Sequence, residues 1–294
     1  MDVDVVAQAI VSGLLIGMVY ALISAGLTLI FGLMEIVNFA HGEFLMLAMY
    51  AAFWSWSLAG LDPLISLPLT VAGLFLLGVL TYFGIIARIL RAPMLAQIFA
   101  TFGLGLLLRG LAQYFWSADF RSINDPYLQR LFGGSVPVAS INLGVPQIAA
   151  AILAGLAFAG LYFLIERTRI GLALQAVAED RATAALMGID SHRMFALGWG
   201  LGAACVGVAG AILASFYYIQ PNVGILFALL AYIIVALGGF GSVPGALVAG
   251  ILVGVVEVAS PAVFDFSTAY KYAVVFGLYL VVVLIRPRGL FGRF

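Results

Sequence analysis

From Met194 to Val256 the chain contains no Asp, Glu, Lys or Arg. An ordinary water-soluble domain needs charged groups interspersed over its surface, so a run of this length has no place in one. A bilayer core of about 30 Å is crossed by a helix of about 20 apolar residues, and this run holds more than one such helix. The rest of the chain agrees: 65% of its residues are hydrophobic and 9% charged, and the mean hydropathy is +1.19. Intrinsic disorder is excluded by the low charge and the many aromatics. The formal net charge is zero, so nothing suggests a nucleic-acid partner. The apolar runs are long and continuous, unlike the alternating strands of a membrane β-barrel. A lone cysteine, Cys205, lies in an apolar run and reads as a small packing residue. No intrachain disulfide framework and no CxxC metal spacing are present.

The start, MDVDVVAQAI, is acidic and leads into a long apolar run, so the first helix is expected to be kept rather than cleaved as a signal peptide. Nine hydrophobic segments are predicted, over 7–33, 44–61, 64–87, 93–116, 145–165, 194–219, 224–239, 244–260 and 267–285. Segments 224–239 and 244–260 are short, and are either tilted spans or two half-helices entering and leaving from one side. The expected fold is all-α: one polytopic transmembrane helical bundle over 1–294, with discontinuous helices and eight or nine segments. Arginine placement sets its orientation. Arg88 and Arg91, then Arg167, Arg169, Arg181 and Arg193, then Arg286, Arg288 and Arg293 fall on one side when the odd segments run inward. The positive-inside rule makes that side cytoplasmic, with the N-terminus out and the C-terminus in. The main outer loop is then 117–144, in which Asp119, Arg121, Asp125 and Arg130 carry no basic excess. Trp54, Trp56 and Trp116 read as interface anchors.

Two places interrupt the apolar pattern. FGLMEIVNFAHGEF, 31–44, packs Glu35, Asn38, His41 and Glu43 between apolar stretches. Polar groups at membrane depth are costly unless they pair or line a wet cavity. One reading is a broken helix facing a translocation path; the other is a cytoplasmic turn with Asn38 as a helix cap. LGGFGSVPGALVAG, 237–250, carries Gly239, Gly241 and Pro244 and no charge. It is either a tight turn or a discontinuous helix whose free carbonyls approach cargo; it is no phosphate loop, for no Lys-Ser/Thr follows the glycines. Arg109, inside an apolar segment, is expected to snorkel outward or to pair with an acid, the third reading being a contact to a substrate carboxylate. Glu257 reads as interfacial.

Between these lies a polar island. Across 172–187 the apolar residues, Leu174, Val177 and Ala185 among them, recur every three to four positions, and Glu179, Asp180 and Arg181 interrupt them. This predicts an amphipathic helix of about four turns stopped at Gly188. It either lies on the inner leaflet or docks its apolar side into a partner's groove.

AEDRATAALMGID resembles the cytoplasmic coupling loop of ATP-binding cassette importer permeases, in its branched-chain amino acid variant. Residues 18–50 are similar to the N-terminal signature of LivH-type permeases, and 237–257 and the RPRGLFGR tail also match. Glu-Asp-Arg stands where the widespread form of the loop has Glu-Ala-Ala. The resemblance implies a multi-pass permease subunit of the bacterial cytoplasmic (inner) membrane, with no nucleotide site, metal or cofactor of its own. ATP-Mg would be held by two cytoplasmic ATPases; a related second permease and a periplasmic substrate-binding protein complete the system. It implies leucine, isoleucine and valine as cargo, with urea and short amides in relatives. Under it, Leu174, Val177, Glu179, Asp180, Arg181, Ala185 and Gly188 couple to the ATPases. Asn38, Phe39, His41, Glu43, Gly239, Gly241 and Pro244 are the pathway candidates, with Met46 near the first group. The rival reading is a proton-coupled carrier using Glu35, His41 or Glu43.

Overall fold

The computed structural model describes residues 3–124, 126–138, 141–264 and 266–292. The chain opens with α1 (Val3–Met34), whose residues from Val19 to Ile30 are all buried. A helix buried all round sits at the centre of its bundle. Around α1 pack α7 (Val145–Arg167), α10 (Ser191–Leu213), α11 (Val223–Gly238) and α12 (Val243–Phe264). Farther out lie α2 (His41–Ala59), α3 (Pro63–Thr81), which continues through a π turn at Tyr82–Ile86 into α4 (Ala87–Ile89), and α5 (Met94–Trp116). The bundle is completed by α13 (Lys271–Ile285), entered by a 3₁₀ turn at Thr268–Tyr270.

Seven helices are long and apolar enough to cross a bilayer: Val3–Met34, Pro63–Ile89, Met94–Trp116, Val145–Arg167, Ser191–Leu213, Val243–Phe264 and Thr268–Ile285. Two elements stand apart from these. α11 has 16 residues, about 24 Å of rise, and α2 begins with His41 and Glu43. The 117–144 loop holds a short helix, α6 (Tyr127–Phe132), and an antiparallel hairpin of β1 (Ser135–Val138) and β2 (Ile141–Gly144), paired Ser135↔Gly144 to Val138↔Ile141. Its branched residues Val136, Val138 and Ile141 favour strand over helix, a small departure from the all-helical expectation. Asp125 and Arg293 lie outside the described residues.

Lipid offers an apolar helix no hydrophobic gain on meeting another, so close packing holds such helices together. Here glycine supplies it. Gly13 and Gly17 of α1 face Gly254 and Gly250 of α12, one GxxxG pair against another. A Cβ on Gly17 would lie 2.8 Å from the Ile251 Cα, and one on Gly254 2.5 Å from the Gly17 Cα. Gly26 of α1 likewise meets the Gly202 carbonyl of α10, and Gly78 of α3 the Trp199 carbonyl.

The 237–250 interruption is the tight turn of the two readings: the Ser242 N–H donates to the Gly239 carbonyl. Gly239 and Gly241 hold φ of +99° and +78°, conformations closed to most other residues. Pro244 sits in the first turn of α12, where its missing N–H costs nothing. The C-terminal tail clasps this turn: Leu290 N–H donates to the Leu237 carbonyl and Phe291 N–H to the Gly238 carbonyl.

Candidate translocation and coupling sites

The break after α1 is not an exposed turn. Asn38 and His41 are fully buried and Glu43 nearly so. His41 Nε2 donates to the Ile23 carbonyl at 2.9 Å, so α2 starts level with Ile23, about 16 Å of helix rise short of the end of α1 at Met34. After Glu35, whose N–H still donates to the Phe31 carbonyl, residues 36–39 carry the chain back into the bundle outside any helix. Neighbours supply hydrogen bonds there: the Thr101 hydroxyl of α5 donates to the Val37 carbonyl, 3.1 Å, and the Tyr232 hydroxyl of α11 to the Asn38 carbonyl, 2.8 Å. Asn38 Oδ1 accepts from the Ala40 N–H. Non-helical backbone at depth is tolerated where protein satisfies it in this way. Glu35 takes φ +57° at the end of α1 and is exposed, apart from the buried group.

The first turn of α2 meets the first turn of α11. A Cβ on Gly42 would lie 2.1 Å from the Gly224 carbonyl oxygen, so nothing larger than glycine fits between these helices. Beside the crossing, Glu43 Oε1 is ion-paired to Arg109 Nη2 of α5. Glu43 Oε2 and Arg109 Nε are buried and have no hydrogen-bond partner among the described residues. Both residues line a cavity of about 240 Å³ that opens to the surface of the bundle, between Phe39, Tyr232 and the exposed side chains of Phe102, Leu106 and Leu229. Phe39 packs on Tyr232 with ring centroids 5.3 Å apart.

The pathway candidates named from sequence fall into two groups. Asn38, Phe39, His41 and Glu43 gather at this junction, with Met46 buried one turn on. Gly239, Gly241 and Pro244 lie in the turn at the other end of α11, where Phe240 packs on Phe31 and Gly241 approaches Gly32. Sequence reasoning missed Tyr232, Thr101 and Phe102. Each sits in an unbroken apolar segment with no local signal. Arg109 carries a signal, a cation inside a span, and of its readings the structure has the acid partner.

A second buried carboxylate pair was missed too. Glu257, read as interfacial, is buried; it accepts from the Tyr20 hydroxyl at 2.7 Å and pairs with Lys271 Nζ at 2.7 Å. The expected tryptophan anchors pack together instead of standing separately: Trp116 stacks on Tyr50, and Arg121 lies over the rings of Phe53 and Trp54.

The polar island is two helices, α8 (Arg169–Glu179) and α9 (Arg181–Leu186), where one was predicted. Asp180 breaks the rod. Its backbone is extended, and its Oδ1 accepts from the N–H groups of Ala182 and Thr183 while Oδ2 accepts from the Thr183 hydroxyl, so it caps α9. These bonds, the hydroxyl foremost, hold its carboxyl below the usual pKa. Asp190 caps α10 in the same way, accepting from His192 and Arg193. Leu174 and Val177 face inward and are buried against the bundle, whereas Glu179, Asp180, Arg181, Ala185 and Gly188 are exposed. Arg181 lies 4.7 Å over the Phe195 ring of α10. At the tip, Leu186 and Met187 are 87% and 79% exposed, two large apolar side chains that no part of this chain covers.

The chain matches the family model described as branched-chain amino acid transport system, permease component, over residues 9–284. It is 33% identical to the high-affinity branched-chain amino acid transport system permease protein BraD of Pseudomonas aeruginosa, covering 97% of this chain and 95% of that one. It is 32% identical to the permease protein LivH of Escherichia coli K12 with the same coverage. To the probable LivH of Methanocaldococcus jannaschii it is 27% identical, over 92% of this chain and 88% of that one. No solved structure matches.

Proposed function

We propose, from the premise that this chain belongs to the family of branched-chain amino acid transport permeases, that it is the membrane-spanning subunit of an ATP-driven importer. Its cargo is a branched-chain or related small amino acid. It inserts in the bacterial inner membrane with its N-terminus outside and C-terminus inside, its eight or nine segments forming one permease domain. A related permease stands beside it. Two cytoplasmic ATPases bind and hydrolyse ATP, and a periplasmic binding protein delivers cargo at the outer loop.

The observation that carries this reading is the tip of α9. Leu186 and Met187 stand exposed past charged Glu179, Asp180 and Arg181, at the end of α9, whose start is capped by Asp180 and which is followed by α10 capped by Asp190. Two large apolar side chains in water, at the end of a short capped helix, suit a groove on a partner protein. The inward anchors Leu174 and Val177, and the stack of Arg181 on Phe195, would pass a push at the tip into α8 and α10 as a rigid displacement. Glu43 and Arg109 neutralise each other, which favours this reading over a proton-coupled carrier, where a lone carboxylate takes up the ion.

The test is reconstitution. Proteoliposomes containing this chain, its partner permease and the ATPases should accumulate radiolabelled leucine only with ATP and binding protein. Accumulation by this chain alone, driven by a pH gradient, would overturn the proposal.

A further inference from the structure

We infer that the Glu43–Arg109 pair is a docking station for the two charged ends of a passing zwitterionic α-amino acid. The inference rests on the importer reading above and adds the residues that hold the cargo. A charged pair set in a transmembrane bundle is expensive, and packed apolar side chains of similar volume would serve stability as well or better. This pair is also incompletely satisfied: Glu43 Oε2 and Arg109 Nε are buried without partners, while Glu43 is 3% exposed and lines the cavity. Glu43 Oε2 lies against Gly224, just beneath the cavity floor, so the pair holds hydrogen-bonding capacity that its present packing leaves unused and that an incoming group could take up.

The complement of this site is specific. A carboxylate and a guanidinium side by side match an ammonium and a carboxylate one carbon apart. The ammonium of the cargo takes Glu43, its carboxylate takes Arg109, and the ion pair opens to admit it. Arg109 offers a planar fork of donors suited to a carboxylate. The first turns of α2 and α11, which meet at Gly42 and Gly224, add partial positive charge that steadies Glu43 while the cargo is absent. The remaining wall, Phe102, Leu106 and Leu229 among others, is apolar and fits an aliphatic side chain. A volume of about 240 Å³ lies below the roughly 300–1,000 Å³ of drug-sized sites and suits a single small metabolite. Urea and simple amides carry no charged ends and would leave the pair unopened.

The site sits against a hydrogen-bonded frame. Tyr232 and Thr101 tie the 35–40 segment to α11 and α5, so the helices stay in place and a swing of the Arg109 side chain, itself partly exposed, is the motion that parts it from Glu43. Exchange of an internal partner for an external one keeps both charges paired throughout, which holds down the barrier to passage.

The experiment uses the full complex in proteoliposomes with the binding protein, reading radiolabelled leucine uptake and binding-protein-stimulated ATP hydrolysis separately. Glu43→Gln and Arg109→Gln singly, and both together, are compared with the unaltered complex. The double variant is neutral and hydrogen-bonded, so it removes the charges without stranding one. The expected result is uptake lowered at least tenfold in the double variant, with assembly and stimulated ATP hydrolysis within twofold of the parent. Uptake restored in the double variant to the level of the unaltered complex would overturn the inference, because the pair would then serve only to neutralise itself. If the double variant fails to assemble, Arg109→Lys decides. It keeps the charge and loses the fork, so a raised concentration for half-maximal uptake supports the station, and unchanged uptake overturns it. A parent complex that hydrolyses no ATP in response to binding protein, or takes up leucine without it, defeats the importer reading itself.

Discussion

Around Glu43 the molecule buries charge, and at the tip of α9 it exposes oil. The first region lies within the bundle, where Gly42 and Gly224 leave no room for a Cβ and the Val37 and Asn38 carbonyls of the break are taken up by Thr101 and Tyr232. The second stands on two helices of eleven and six residues, capped by Thr168 and Asp180. Each inverts the usual distribution, in which apolar side chains are covered and charges reach water. The interior inversion costs folding energy and is held by tight packing. The exterior inversion costs solubility and is held by hydrogen bonds at helix ends. Substitutions that destroy the one should therefore leave the other standing.

The sharpest break is Gly42→Leu. Driving a side chain against the Gly224 carbonyl exceeds ordinary overpacking, so a loss above about 3 kcal/mol is expected, read as a fall in melting temperature in detergent together with lost uptake. A normal melt would show that the α2–α11 crossing is looser than its geometry. Next comes Lys271→Met, which leaves buried Glu257 with Tyr20 alone. The cost is about 2–3 kcal/mol, toward the low end for a buried pair because Lys271 is 32% exposed. If Glu257→Gln in addition restores the melt, the pair is structural, and Glu43 and Glu257 part company in role. Asp190→Ala removes a helix cap and should cost about 1 kcal/mol, visible as faster amide exchange at the start of α10 and not at α2. Leu186→Glu with Met187→Glu should change stability by less than about 0.5 kcal/mol, as exposed substitutions do, yet abolish ATPase binding in a pull-down with the purified ATPases. Full binding would move the docking surface elsewhere.

The smallest effect concerns acidity. Asp180 has a depressed pKa, so its cap on α9 is fully present above the ordinary aspartate range near pH 4 and is lost as pH falls through the lower folded value. ATPase binding should stay level from about pH 5 to 8 on this account. A midpoint near neutrality would point to another group.

Helix positions were legible because a 20-residue apolar run admits few alternatives. The break at 35–40 was legible as an anomaly, since Glu35, Asn38, His41 and Glu43 sit where apolar residues should. Its destination was not. Whether such a segment turns in water or climbs back to Ile23 depends on Thr101 and Tyr232, which lie far away in sequence within featureless runs. Arg109 announced an acid partner without naming Glu43. The division of α8 from α9 was within reach: Asp180 is a strong helix-capping type, and the amphipathic period that ran across it hid the stop. Leu174 and Val177 show the limit of periodicity, which marks an apolar face and does not say whether that face meets the parent chain or a stranger.

The interlock of Gly13 and Gly17 with Gly250 and Gly254 has a consequence in time. The opening helix leaves the ribosome first, and its closest mate follows only after some 200 further residues, roughly 10–40 s at ordinary synthesis rates. Through that interval the glycine stripe of α1 stands in lipid or against a temporary companion. A transcript cut short before α12 would release a half-made protein with that stripe still unclaimed, a ready mark for the proteases that clear orphaned membrane chains.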